Sequence, residues 1–120
     1  MTSSSANGSE RPTCPPGWEH ADETLLTLTD PSGDAVAWVC PALGANVVAL
    51  AVKTERGWGQ VLHQDGPATL RERPSRYGLP ILFPFPGHMV GGRYRWQGVE
   101  YSMPILNPAA PSYTHGFAHQ

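Results

Sequence analysis

The residue types best suited to binding and proton transfer are concentrated in one stretch of the 120-residue sequence. The stretch begins in a proline-rich segment and combines histidine, asparagine and aromatic side chains. Sugars present hydroxyl groups and apolar C–H faces, so their sites pair hydrogen-bonding side chains with aromatic rings. The stretch is therefore a candidate carbohydrate site, although aromatic residues in a β-rich protein more often form the core. Its members are Phe83, Phe85, His88, Asn107, Tyr113, His115 and Phe117.

Other chemistries have weaker support. His115 and His119 have the i, i+4 spacing of a zinc-binding helix, but Gly116 lies between them and no glutamate follows His115. Cys40 falls in an apolar run, where a buried and inert thiol is expected. We therefore expect no metal and no cofactor. Cys14 and Cys40 are expected to be free thiols of a reducing compartment, with a disulfide between them as the alternative.

Composition excludes several classes of partner. The 8 basic and 10 acidic residues give a net charge of −2 and form no basic patch, so neither nucleic acid nor a membrane surface is an expected partner. The amino-terminal residues lack the apolar segment of a secretory signal, and no apolar run approaches the ~20 residues of a membrane span. The sequence thus predicts a cytoplasmic protein. With 40% hydrophobic residues, it can form a core.

The 13 glycines and 13 prolines favour short strands and many turns. Alternating and β-branched runs predict one hairpin around 31–34 and another around Gln97-Gly98. In the second hairpin Tyr94 and Trp96 alternate with arginines, which is typical of a half-buried antiparallel pair. No run has the spacing of an amphipathic helix, so the predicted class is all-β, an antiparallel sandwich or barrel. Strands are predicted at 24–29, 35–40, 47–52, 58–63, 93–96 and 99–103.

The remaining segments have less regular patterns. Residues 1–17 are polar and aperiodic, which predicts a disordered tail, and 18–120 are predicted to form one domain. Residues 64–77 predict a surface loop with a helical turn at 68–71. Residues 78–87 are apolar but hold three prolines, which cannot donate ladder hydrogen bonds, so an extended and irregular segment is expected.

Four short motifs occur in order along the chain. They are Gly44-Ala45-Asn46-Val47-Val48-Ala49-Leu50, then Gly78-Leu79-Pro80-Ile81-Leu82-Phe83-Pro84-Phe85-Pro86, then the hairpin Gly92-Arg93-Tyr94-Arg95-Trp96-Gln97-Gly98-Val99-Glu100-Tyr101, and finally His115-Gly116-Phe117. Together, over most of residues 25–117, they resemble the aldose 1-epimerase (galactose mutarotase) family.

The resemblance implies an antiparallel β-sandwich of the galactose mutarotase-like supersandwich type, of which this chain is an incomplete, amino-terminal portion. Family members interconvert the α and β anomers of aldoses such as glucose or galactose. A carboxylate base takes the O1 proton and a histidine acid protonates the ring oxygen, without metal or cofactor. His115 matches the family's His-Gly histidine near the ring oxygen and is the catalytic candidate. His88, Phe85 and Asn107 are further candidates for sugar binding.

Two departures from the family pattern qualify the implied activity. The family usually has an arginine after the proline segment, where this chain has Gly87-His88-Met89. The family's acid and base lie beyond residue 120, so efficient mutarotation by these residues is not expected. Three alternatives stay open: a non-catalytic carbohydrate-binding domain, an interaction fragment that self-associates through open sheet edges, and a hexose-6-phosphate epimerase that uses Arg71, Arg73 or Arg76.

Overall fold

A computed structural model describes residues 8–104 and 112–117 of the chain. Every ladder between the described strands is antiparallel, and the one α-helix among them is short. The predicted all-β class is confirmed. The strands are β1 (Leu26–Thr29), β2 (Ala35–Cys40), β3 (Asn46–Thr54), β4 (Gly57–Gln60), β5 (His88–Val90), β6 (Arg93–Trp96), β7 (Val99–Ser102) and β8 (Ser112–Thr114), and the helices are a 3-10 turn (Pro41–Leu43) and α1 (Pro67–Glu72).

Strands β1 to β4 form one sheet in sequence order. The predicted hairpin between β1 and β2 closes on Asp30, whose carboxylate accepts the backbone N–H groups of Ala35 at 2.7 Å and Ser32 at 3.2 Å. Hydrogen bonds from the Ser32 side chain and then from these amides lower the pKa of Asp30. Gly33 takes a left-handed φ of 78° that suits glycine. The turn thus fixes the register in which Leu28 lies opposite Ala37.

The core lies on one face of this sheet. Along β2, Val36, Trp38 and Cys40 are buried while the residues between them are half-buried, which is the two-residue period of a strand. Trp18 and Leu70 of α1 pack onto the same cluster. The segment before β1 and helix α1 therefore cover this face.

Residues 8–17 belong to the predicted tail, yet they contact this core. Pro15 is fully buried, and the Trp58 N–H donates to the Gly8 carbonyl at 3.3 Å. Cys14 is half-buried beside them, and both cysteines are free thiols. Burial is the main cause that raises the pKa of each thiol. Pro15 and Cys14 give this segment packing that its polar composition did not indicate.

The second part of the fold consists of two two-stranded ladders, β5–β8 and β6–β7. The predicted hairpin around Gln97-Gly98 is confirmed as β6–β7, with the Tyr94 and Tyr101 rings stacked at 5.0 Å. Its predicted half-burial is wrong, because all residues of both strands are exposed and no second layer of described residues covers the aromatic face. Strands β5 and β8 were not predicted.

Candidate functional site

The β5–β8 ladder brings together the two histidines that the sequence singled out. His88 at the start of β5 lies opposite Thr114, the last residue of β8, and His115 follows directly. The ring centroids of His88 and His115 are 6.2 Å apart, and the ring planes are tilted by 52°. Two hydrogen-bonding side chains 27 positions apart in sequence therefore share one end of a short ladder.

Backbone groups of Gly87 orient the His115 ring. The Gly87 N–H donates to His115 Nδ1 at 3.0 Å, and the His115 N–H donates to the Gly87 carbonyl at 2.9 Å. A ring nitrogen that accepts a hydrogen bond carries no proton, so neutral His115 has its proton on Nε2. The contact with Gly87 thus selects the tautomer in which Nε2–H is a hydrogen-bond donor.

A tight approach of two backbone segments explains the sequence His-Gly-Phe. His115 and Gly116 both have left-handed φ values, 62° and 67°. The Phe117 N–H donates to the Phe83 carbonyl at 2.7 Å. A Cβ atom at position 116 would overlap the Phe83 carbonyl and the Pro84 nitrogen, so only glycine fits. Left-handed backbone at a non-glycine residue is commonly found at functional positions.

Asn46 anchors the proline-rich segment that carries this contact. Its side chain is buried, donates to the carbonyls of Pro74 and Tyr77 at 3.1 Å each, and accepts the Leu79 N–H at 3.0 Å. Gly78 lies so close to Asn46 that a Cβ atom there would overlap the amide oxygen. No role for Asn46 was predicted from the sequence. The available signal was a polar residue at the start of an otherwise apolar run of the strand.

The other predicted site residues have mixed outcomes. Phe85 is half-buried in the segment next to His115, and Phe83 in the same segment is 67% exposed. Asn107 and His119 lie outside the described residues. Sugar binding by His88, Phe85, Asn107 and His115 stays a prediction.

A cavity of about 220 Å³ lies elsewhere, between the segment before β1 and strands β1 and β2. It is bounded by Trp18, Trp38, Glu23 and Cys14 among others, and none of the predicted sugar-binding residues lines it. Within 8–104 and 112–117, no three His, Cys, Asp or Glu side chains come together in a way that would hold a metal ion. In the same ranges no helix has the length and apolar character needed to cross a membrane.

Comparison with known proteins bears on the fold. No protein-family model matches the chain. The structure is similar to that of a galactose mutarotase-like protein from Clostridium acetobutylicum, with 25% sequence identity and a TM-score of 0.60. The fold is mutarotase-like. The similarity covers 82% of this chain but 32% of the Clostridium chain, so the sequence spans about a third of that structure. The predicted antiparallel β-sandwich class is confirmed, and the resemblance is supported at the level of the fold.

Proposed function

We propose that this chain is the part of an aldose 1-epimerase-like protein that holds an aldohexose through His115. One observation supports the proposal: the Gly87 carbonyl accepts the His115 N–H and the Gly87 N–H donates to His115 Nδ1, which orients the ring and leaves its proton on Nε2. His88 at 6.2 Å supplies a second imidazole on the same ladder end. The mutarotase-like fold supports a sugar as the class of ligand.

The proposed role of His115 is a hydrogen bond from Nε2–H to the sugar near its ring oxygen. Such a bond would stabilise negative charge that develops on the ring oxygen as the ring opens, and would assist a separate acid. The family's acid and base match no position of this sequence. We therefore propose that these 120 residues bind the sugar without interconverting its anomers efficiently.

Two related functions use overlapping residues. A non-catalytic carbohydrate-binding domain would use the same site and would likewise bind the sugar without turnover. A hexose-6-phosphate epimerase would need cations for the phosphate. Arg71 is already ion-paired with Glu23, which weakens its candidacy and leaves Arg73 and Arg76 for that role.

Calorimetric titration with galactose and with glucose tests the binding proposal. We expect saturable binding of one of them, and roughly a five- to tenfold loss of affinity in His115→Asn, because one hydrogen bond contributes roughly 1–1.5 kcal/mol. Asparagine tolerates the left-handed backbone at position 115, so the substitution removes the imidazole without a new backbone strain. His63→Asn is the matched control, since the His63 side chain is 78% exposed and contacts Asp65.

Unchanged affinity in His115→Asn would remove His115 from the site. Polarimetry on fresh α-glucose and α-galactose tests turnover separately. We expect no acceleration above a buffer control. A marked acceleration that His115→Ala abolishes would overturn the proposed lack of catalysis while keeping the site.

A further inference from the structure

The cavity of about 220 Å³ beside strands β1 and β2 is separate from the ladder end that carries His115, and its walls are mixed in character. Thr13 and Thr27 are exposed and lie at its mouth, whereas Trp18 and Trp38 are buried and form its floor. Thr27 lies opposite Trp38 in the register of β1 and β2, so the mouth and the floor meet at neighbouring positions of the sheet. Concave sites with apolar walls and a few polar groups are the usual form of small-molecule sites.

Side-chain contacts hold the walls of this cavity in place. The Trp18 indole Nε1–H donates to Gln64 Oε1 at 2.9 Å, and Gln64 Nε2 donates to the Pro16 carbonyl at 2.7 Å. In addition, Arg71 of α1 is ion-paired with the Glu23 carboxylate. The cavity is therefore formed before any ligand binds, which reduces the ordering that binding requires.

The two tryptophans of the floor differ in their hydrogen bonding. The Trp18 N–H is paired with Gln64, but Trp38 Nε1 is buried and has no hydrogen-bond partner among the described residues. Trp38 is 1% exposed, and the great majority of such buried polar groups in folded proteins are paired. Since Trp38 also lines the cavity, an oxygen atom of a ligand bound there would supply an acceptor for this N–H.

The charges around the cavity favour an uncharged ligand. Glu23 is the charged residue among those that line it, and Arg71 already neutralises this carboxylate. An anion would lie beside Glu23 without a cation of its own, and a cation would compete with Arg71 for the carboxylate. A carboxylate has roughly four acceptor positions and Arg71 fills two of them, so Glu23 can still accept a hydrogen bond from a ligand hydroxyl.

Volume and hydrogen-bonding capacity together define the ligand. Each water molecule in the liquid occupies roughly 30 Å³, so the cavity has room for about seven waters. Hydroxyl groups both donate and accept, which matches Trp38 as a donor, Glu23 as an acceptor and the two threonines as either.

We propose that this cavity binds a small uncharged polyol of about three to five carbons. The polyol accepts the Trp38 N–H, donates to the Glu23 carboxylate and reaches the Thr27 hydroxyl at the mouth. The site is distinct from His115, and the proposal does not rest on sugar binding there.

Nuclear magnetic resonance of the indole N–H groups tests the proposal. Each of the 4 tryptophans contributes one indole signal in an isotope-labelled chain, and Trp38→Phe identifies the Trp38 signal by its loss. We expect erythritol, a four-carbon polyol, to shift the Trp38 signal saturably, with a Kd in the millimolar range because so small a ligand makes few contacts. The Trp96 signal, from the exposed β6–β7 hairpin, should stay unchanged.

Thr27→Val tests the ligand contacts without disturbing the core, because it removes one hydroxyl at an exposed position and keeps the β-branched shape. It should weaken erythritol binding roughly fivefold, which corresponds to the loss of one hydrogen bond. Thr29→Val is the matched control, since Thr29 is exposed on the same strand and does not line the cavity. Its Kd should stay within about twofold of the wild-type value.

The Cys14 thiol gives a second measure that needs no substitution. Cys14 lines the cavity and is half-buried, whereas Cys40 is fully buried, so iodoacetamide should alkylate Cys14 first. Erythritol at about three times its Kd should slow this reaction roughly fourfold, because only the unoccupied fraction of the chain reacts.

Three results would overturn the proposal. An unchanged Trp38 signal with erythritol would assign the cavity to water alone. Equal weakening of binding by Thr27→Val and Thr29→Val would show that erythritol binds outside the cavity. A saturable shift of the Trp38 signal with choline or tartrate but none with erythritol would mean that the ligand is a charged molecule.

Discussion

The four-stranded sheet and the region formed by 78–104 and 112–117 are held in place by different forces. In the sheet, β2 and β3 bury apolar side chains against Trp18 and Leu70. In the second region the strands are three or four residues long, and the side chains of β5, β6 and β7 are largely exposed. Its candidate site is positioned by backbone hydrogen bonds between the segments around Gly87 and His115.

Stability and site geometry therefore depend on different parts of the molecule. Burial of apolar area stabilises the sheet, and this stabilisation changes little when side chains shift slightly. A two-stranded ladder is at best marginally stable on its own, so the site depends on a few close backbone contacts and on the anchor at Asn46. The two regions should therefore respond differently to matched substitutions.

The largest contrast is expected between two tryptophans. Trp38→Ala should lower the free energy of unfolding by about 3–5 kcal/mol, because it opens a cavity in the core. Trp96→Ala should cost less than about 1 kcal/mol, since that ring is 64% exposed on β6. Urea unfolding followed by circular dichroism measures both. Comparable losses would mean that the hairpin carries core packing that its exposure does not indicate.

The next contrast lies between two glycines of the second region. Gly116 and Gly91 both have φ near 67°, but a Cβ atom at Gly116 would overlap the Phe83 backbone, whereas at Gly91 it meets no atom within 4 Å. Gly91→Ala should cost about 1–2 kcal/mol, the strain of a left-handed alanine. Gly116→Ala should cost that amount plus about 1–3 kcal/mol for the displaced backbone.

Hydrogen exchange measures the local effect of Gly116→Ala. The Phe117 amide donates to the Phe83 carbonyl, so it should exchange at least tenfold faster in Gly116→Ala than in Gly91→Ala. Amides of β2 should keep their protection in both variants. Loss of protection throughout β2 would show that the two regions unfold together and are not independently stabilised.

Asn46 links the two regions and should affect both. Asn46→Ala removes three hydrogen bonds and leaves the Pro74 and Tyr77 carbonyls without the Asn46 donor, which should cost about 2 kcal/mol. The Leu79 N–H keeps its other hydrogen bond, to the Val47 carbonyl at 3.0 Å. Sugar affinity should fall as well, because 78–87 would lose its anchor. Gln60→Ala, at an exposed position of the same sheet, should change neither unfolding in urea nor calorimetric binding. Full affinity in Asn46→Ala would show that Asn46 does not position the site.

The features that could be predicted from the sequence are those that local pattern determines. Strand β2 follows from an apolar run beside a turn glycine, and β6–β7 follow from two-residue alternation around Gly98. The all-β class follows from these strands. Strands β5 and β8 escaped prediction because each has three residues and they pair across more than twenty positions. A run of three residues is too short to show the two-residue period of a strand.

The site was predictable by residue type but not by geometry. His88 and His115 stood out as hydrogen-bonding residues near aromatic rings, and the ladder brings them together. The contact of Nδ1 with Gly87 and the close approach of Gly116 to Phe83 depend on where backbone carbonyls lie in space. Alternation likewise predicts which side of a strand is apolar and not whether anything covers that side.

The smallest expected effect is a pH-dependent change in stability within the packed region, which consists of the four-stranded sheet, α1 and the segment before β1. Arg71 of α1 donates two hydrogen bonds to the Glu23 carboxylate, with Nη2 2.7 Å from Oε2, and this contact holds the pKa of Glu23 below its usual value near 4.5. A carboxyl whose pKa is lowered by folding stabilises the folded state above its unfolded-state pKa. That contribution is lost as the pH falls through the folded-state pKa.

The urea midpoint of the wild-type chain should therefore fall more steeply below pH 4.5 than that of Glu23→Gln. Arg71→Met should flatten the profile to the same extent, and the double variant should add little to either single change, because both remove one interaction. The Arg71 side chain is 45% exposed, so salt should screen its attraction to Glu23. At 0.5 M salt, roughly five times the ionic strength at which the screening length is ~10 Å, the wild-type and Glu23→Gln urea midpoints should therefore differ less. A Glu23→Gln profile as steep as that of the wild type would assign the acid sensitivity of the packed region to other carboxylates, with Asp30 in the β1–β2 turn the first to test by Asp30→Asn.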